Sequence, residues 1–315
     1  MTGYLIRRLV QTVIIVILVT MITFGLLHLL PGGPGRAILG PRATIAAVDA
    51  FNKQQGYDLP LPLQFLHYLN KLIHGRLGFS YVYNEPVSTL FAQDLPKTIY
   101  LVGVSTVLSI ILAVPLGIFQ AVRRNTISDY VMTGASFIFY SMPTFFLGLL
   151  LIEFLAVKTH VFPPEAPQGN LGQIISDPRA MVLPIVTLML VTIASFSRYM
   201  RSSVLENVTQ DYVRTARAKG VSNQGTLYRH ILRNSLIPLV TLIGLSLPAI
   251  LSGALITEVV FNFPGMGYLF DRAVTAEDYP IMLAIVLITA LATVLGNLAA
   301  DIGYAVLDPR VRYTG

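Results

Sequence analysis

Six long apolar runs govern what this chain can fold into: Leu9 to Leu30, Thr98 to Ala121, Val131 to Val157, Met181 to Tyr199, Leu236 to Val259 and Ile281 to Leu307. Each approaches or reaches the roughly 20 residues that carry a helix across about 30 Å of hydrocarbon, the Met181 run being the shortest. Hydrocarbon offers no partner for a backbone N–H or C=O, so segments of this length must satisfy their own hydrogen bonds as helices. Composition agrees, with 54% hydrophobic and 12% charged residues and a mean hydropathy of +0.67, outside the range of an ordinary soluble domain. The predicted fold class is an all-α membrane protein with six transmembrane helices. Arg7 and Arg8 precede the first run, but that run exceeds the roughly 7 to 15 residues of a signal-peptide core, and Leu30-Pro31-Gly32-Gly33 is not a small-x-small cleavage site. It reads as an uncleaved first span.

Charge orients the chain, because cations near span ends concentrate on the cytoplasmic side. With the amino terminus inside, the inner segments hold Arg7, Arg8, Arg123, Arg124, Arg310, Arg312 and a dense basic stretch from Arg198 to Asn234. The outer segments are longer in total and carry their cations more thinly, so both termini are expected in the cytoplasm. The formal charge of +6 then follows from topology and from attraction to anionic lipid of the bilayer, and no nucleic-acid partner is needed. Cysteine is absent, which excludes disulfides, thiolate metal sites and cysteine nucleophiles.

Residues 1–97 form a first transmembrane helix plus an extracytoplasmic region, in which Leu63, Leu66, Leu69, Leu72 and Ile73 recur at helical spacing and predict an amphipathic helix. Residues 98–315 form a core of five spans. Pro115, Pro143, Pro184 and Pro248 lie within spans, where proline kinks a helix by removing one backbone hydrogen bond. Small residues one turn apart, such as Ala113 and Gly117, predict close helix packing. His28, Glu153, Glu258 and Asp301 are costly in hydrocarbon unless they face protein or water. Structural roles are expected for all of them, with Glu258 solvated at a span end.

The most distinctive segment is the loop 198–235 between the fourth and fifth spans. It holds seven cations, Arg198, Arg201, Arg214, Arg217, Lys219, Arg229 and Arg233, against Glu206 and Asp211. Asp211 is expected to cap a helix over Tyr212 to Lys219, Gly220 to take the left-handed position that ends it, and Ser222 to cap a second helix with Leu227 and Ile231 on one face. A basic helical hairpin outside the membrane is a handle for a partner. No Gly-Lys pair occurs, so the phosphate-cradling P-loop is missing. Switching a gate from about 1:99 to 99:1 takes roughly 5.5 kcal/mol of differential binding, and no internal source of it is legible.

Here the chain resembles a family, the B-type permeases of bacterial dipeptide and oligopeptide ABC importers. Tyr-Val-Arg-Thr-Ala-Arg-Ala-Lys-Gly at 212–220, then His230-Ile231-Leu232-Arg233-Asn234 and Pro238, is similar to that branch's cytoplasmic EAA loop. Arg7-Arg8-Leu9, Leu29-Leu30-Pro31-Gly32, Gln64, Gly75 to Ser80, Glu258 to Phe261, Pro264-Gly265-Met266-Gly267, Asp278-Tyr279-Pro280 and Asp308-Pro309-Arg310 extend the likeness in order along nearly the whole chain. Arg214 stands where the general pattern has glutamate, and Arg76 where this branch often has aspartate.

The resemblance implies a type I ABC importer transmembrane domain in the bacterial cytoplasmic membrane. It implies a coupling helix in which Tyr212, Val213, Arg214, Ala216, Arg217, Ala218, Lys219 and Gly220 dock on an ATPase. The implied partners are a second homologous permease subunit in a heterodimer, two cytoplasmic ABC ATPase subunits that bind ATP and Mg, and an extracytoplasmic peptide-binding protein. No cofactor or metal is expected in this chain, which is then not itself an enzyme. A nickel-chelate or glutathione importer is the alternative cargo reading. Two rivals from other classes find less support: a gradient-driven transporter usually shows an internal repeat and midplane ionisable groups, and a serine hydrolase needs a base beside its nucleophile, which Ser252 lacks.

Overall fold

A computed structural model describes residues 2–29, 32–40, 42–240, 242–244 and 254–307. It is helical nearly throughout, as the apolar runs require. Contacts divide the chain into two compact units, one of residues 1–99, 248–259 and 264–295, the other of residues 100–247, 260–263 and 296–315.

In the first unit, α1 (Thr2–Leu29) is followed by α2 (Gly33–Leu39), α3 (Ile45–Gln55), the amphipathic α4 (Leu61–Ile73) and a two-residue antiparallel hairpin pairing Phe79 with Pro86 and Ser80 with Glu85. The buried side of α4 is not the leucine stripe. Leu63, Leu66 and Ile73 are exposed, whereas Gln64 is buried, its amide donating to the Tyr57 and Leu59 carbonyls at 3.0 and 2.6 Å and its oxygen lying 2.6 Å from Nε2 of His28. His28 thereby finds its partner in protein, with Phe24 and Tyr57 against its ring. Burial, reinforced by Tyr81, pushes the Tyr57 hydroxyl up to about 12. Burial and then Tyr57 do the same for Tyr68. A separate core joins Val87, Leu90 and Phe91 at the start of α5 (Val87–Val122) to Met266, Leu269 and Ala273 of the short helix Met266–Thr275 and to Ile281, Ala284 and Ile285 of the helix Tyr279–Leu307. Ser80 Oγ donates to the Asp278 carboxylate just before that last helix.

The second unit is organised around α9 (Pro178–Val208), which follows the short α8 (Leu171–Ser176) and packs against α6 (Ile127–Ser141) and α7 (Thr144–Leu151). Gly117 lies where α5 meets α9, so closely that a Cβ there would sit 2.6 Å from that of Met200 and 2.7 Å from the Ser197 carbonyl oxygen. The predicted small-residue contact is therefore real. Phe261 and Phe263, fully buried, fill a core with Leu101, Ile174, Met181 and Leu183.

Among the described residues three helices are long and apolar enough to cross a bilayer: Val87–Val122, Pro178–Val208 and Tyr279–Leu298. The predicted third span, Val131 to Val157, is two helices bent by 106° between Ser141 and Thr144. Pro143 does more than kink it. A residue before proline is driven out of helical geometry, and Met142 accordingly takes φ −78°, ψ 129°. Pro184 lies inside the unbroken α9 and Pro115 inside the unbroken α5. The first predicted span lies in α1, whose apolar stretch is Val10–Leu26. Much of the fifth lies outside the described residues, with Pro248, Ala249, Ser252 and Gly253, as does the terminal Asp308-Pro309-Arg310. Glu153 does find a cation, Lys158, at 3.5 Å, both side chains about half exposed.

Candidate functional site

The basic loop folds into a braced hairpin. After α9 ends, Gln210 adopts extended backbone and α10 (Asp211–Ala218) begins, with no side-chain cap. Asp211 was expected to be that cap. It is instead the first helical residue, where its charge favours the helix dipole and its carboxylate meets Arg214 at 3.5 Å, with both side chains largely exposed. The C-terminal end follows expectation. Gly220 has φ +79°, its N–H donates to the Arg217 carbonyl at 2.9 Å, and the Val221 N–H donates to Ala216 at 3.2 Å. That pair of bonds is a Schellman motif, which satisfies carbonyls left over at the helix end. Ser222 accepts from the Gly225 N–H at 3.2 Å and opens the second arm, which continues through a π-helical turn, Thr226–Ile231, to Leu232–Ser235.

The eight predicted docking residues fall on two sides of α10. Val213 is 0% and Ala216 6% exposed, one helical turn apart, packed in a core with Met200, Val204, Leu227 and Ile231. Tyr212 is half buried, its hydroxyl donating to Oδ1 of Asn207 at 2.6 Å. Arg214, Arg217, Ala218, Lys219 and Gly220 are exposed. One side of the helix is thus anchored to the end of α9 while the other offers a basic edge.

Two of the loop's seven cations make contacts within the chain that the charge count did not reveal, one neutralised by a carboxylate and one resting against aromatic rings. Arg201 grips Asp129 through two bonds, Nε to Oδ1 at 3.0 Å and Nη2 to Oδ2 at 2.8 Å. Asp129 is almost completely buried and accepts further from the Asn125 N–H at 3.1 Å and the Thr133 hydroxyl at 3.3 Å. Arg198 lies over the rings of Phe137 and Tyr140, 4.7 Å from each centroid. Both contacts tie the end of α9 to α6. No signal in the sequence pointed to the pair, because Asp129 lies ahead of its apolar run, where water would serve it equally well, and Arg201 stands 72 positions away.

A second constellation, in the first unit, surrounds Glu258. Expected at a solvated span end, it is fully buried. Its carboxylate accepts from Thr98 Oγ1 at 2.9 Å and from the backbone N–H groups of Ala254, Gly267 and Tyr268 at 3.3, 2.7 and 3.1 Å. Thr98 in turn accepts from the Met266 N–H at 2.8 Å. The carboxylate thus supplies the acceptors that the first turn of the helix Met266–Thr275 lacks, and the small residues of Pro264-Gly265-Met266-Gly267 let that turn come close enough. Among the described residues no three His, Asp or Glu side chains gather as a metal site.

Comparison with known proteins shows the family. The family described as binding-protein-dependent transport system inner membrane component matches residues 113–313, and its N-terminal companion matches residues 1–102. The oligopeptide transport system permease protein AppB of Bacillus subtilis is 36% identical over 316 residues, covering 99% of this chain and 100% of that protein. The probable peptide ABC transporter permease protein y4tP of Sinorhizobium fredii is 37% identical, again over 99% and 100%. The glutathione transport system permease protein GsiC of Escherichia coli K12 is 36% identical over 99% and 100%. The chain belongs to the inner membrane components of binding-protein-dependent transport systems and has the helical membrane domain of a type I ABC importer.

Proposed function

We propose that this permease imports peptides as half of a heterodimeric translocation path, with both termini in the cytoplasm and α10 as its coupling helix. The observation that carries the reading is the two-sidedness of α10, buried at Val213 and Ala216 and exposed and basic at Arg214, Arg217 and Lys219. A helix built this way transmits a push, because its anchored side is continuous with the core around α9. Two cytoplasmic ATPase subunits bind ATP and Mg and supply the energy, an extracytoplasmic protein delivers the peptide, and the chain catalyses no reaction of its own. Peptide as cargo is supported by the names of full-length relatives. Glutathione, itself a small peptide, is the second reading, supported by another. Competition of labelled dipeptide, oligopeptide and glutathione for uptake by the assembled transporter separates them.

Charge at the handle is directly testable. Arg217→Glu reverses one exposed cation and touches no core residue, so the protein should insert normally while retaining at least several-fold less of its ATPase partner in a pull-down. Undiminished retention would reject an electrostatic contact at this edge.

Shape is tested at Gly220. A left-handed conformation costs an L-residue about 1 to 2 kcal/mol, and β-branched residues tolerate it worst. A Cβ at Gly220 would meet nothing within 4 Å, so Gly220→Val strains the helix end without a clash in the core. Expected is a correctly inserted permease with strongly reduced uptake. Wild-type uptake together with wild-type substrate-stimulated ATPase activity would sink the coupling role of α10.

A further inference from the structure

Among the described residues Arg198, at the end of the fourth apolar run, has no acidic partner. Its guanidinium rests against Phe137 and Tyr140, and rings stabilise a cation without accepting its directed hydrogen bonds. The neighbouring Arg201 is neutralised by Asp129, so the net positive charge at this place is that of Arg198. Both arginines line a cavity of about 360 Å³ between α6 and α9, together with Thr133, Tyr140, Ser195 and Tyr199. That volume falls within the roughly 300 to 1,000 Å³ of ligand sites. A cation with unused donors, ringed by hydroxyls, is suited to an oxyanion, and a planar guanidinium matches phosphate oxygens through paired N–H bonds.

The rim decides which oxyanion. Phe137, Tyr140 and Tyr199 are exposed, an aromatic surface of the kind that meets lipid where headgroups begin. A soluble phosphate has no use for such a rim, whereas acyl chains continue onto it. Basic pockets between transmembrane helices on the cytoplasmic side receive anionic headgroups.

We infer that the cavity between α6 and α9 is a binding site for the phosphodiester headgroup of an anionic phospholipid, gripped by Arg198. The site rests on the orientation proposed above only for the choice of inner leaflet. Headgroup preference in detergent is independent of leaflet, so failure of the orientation and failure of the site are distinguishable.

The test is native mass spectrometry of the full chain in detergent, titrated with phosphatidylglycerol, phosphatidylcholine or glycerol phosphate. Wild type is expected to retain phosphatidylglycerol about fivefold better than phosphatidylcholine, the ratio equivalent to about 1 kcal/mol for one basic residue near the membrane surface. Arg198→Gln should erase the preference, and Arg198→Lys, which keeps the charge but loses the paired N–H geometry, should reduce it without abolishing it. Equal retention of the two lipids by wild type overturns the proposal before any variant is needed, as does an unchanged preference in either variant. Glycerol phosphate binding as well as the lipid would make this a soluble-anion site, and displacement of the lipid by a short peptide would make it part of the cargo path. Either result also overturns the assignment.

Discussion

Gly267→Val should leave little permease that can be extracted and eluted as a monodisperse species. A Cβ at residue 267 would lie 2.4 Å from the Leu255 Cα and 2.8 Å from its N, and backbone atoms cannot swing aside as a side-chain tip can. The clash falls where the Gly267 N–H donates to Glu258 at 2.7 Å, so relieving it pulls donors away from a buried carboxylate. Overpacking costs about 1 to 3 kcal/mol, and leaving a buried hydrogen-bonding group unsatisfied about 1 to 3 kcal/mol more. Glu258→Gln probes the same network without the clash. It replaces one acceptor oxygen by an NH₂ group among N–H donors, and each donor left unsatisfied costs about 1 to 3 kcal/mol. A fall of the apparent melting temperature on the order of 10 °C is expected for Glu258→Gln, at a few degrees per kcal/mol. Wild-type yield and melting in Gly267→Val would mean that this close approach does not exist in the folded protein.

The reason Glu258 was misplaced is instructive. Its position at the end of an apolar run predicts access to water, and by hydropathy alone nothing distinguishes a carboxylate facing solvent from one sealed under the next turn. What distinguishes them is Gly265 and Gly267 a few residues on, because two glycines flanking a helix start permit a backbone approach that other residues forbid. The same limit explains α4. Period 3.6 found the helix, since Leu61–Ile73 is helical as expected, but Leu63, Leu66 and Ile73 lie outward, Leu69 and Leu72 are half-buried, and the fully buried member is Gln64. In an ordinary soluble protein the apolar face goes in; beside a membrane or a partner that rule loses its sign.

The basic hairpin was legible in more detail because its signals are local. Gly220 and Ser222 announce a helix end and a helix start through backbone conformation and short-range bonds, and both take those roles. Pro143 is local too, yet its consequence is larger than a kink, because a residue before proline leaves the helix and nothing in α6 or α7 compels the chain to straighten. The pairing of Asp129 with Arg201 joins residues 72 positions apart, and no local rule reaches that far. Counting Arg201 among the loop's independent surface charges therefore overstated its free positive charge.

That pair carries the second large effect. Arg201→Gln should lower stability by about 3 to 5 kcal/mol, the range for removing one partner of a buried ion pair, and should do so more severely than Asp129→Asn. The asymmetry follows from exposure. The Asp129 side chain is 2% and that of Arg201 27% exposed, so losing the arginine strands a carboxylate in protein with, among the described residues, the Asn125 N–H and the Thr133 hydroxyl left to it, whereas losing the carboxylate leaves a guanidinium that still reaches water. The double variant should be less unstable than the sum of the two single ones, and the difference is the interaction between the groups. Because Arg201 sits near the end of α9, just before α10 begins, loosening its grip on α6 frees the base of the proposed handle. Uptake should consequently fall further than the amount of folded protein does. Equal melting temperatures for Arg201→Gln and Asp129→Asn would contradict the burial argument, and strict additivity in the double variant would show that the two side chains do not meet in the folded permease.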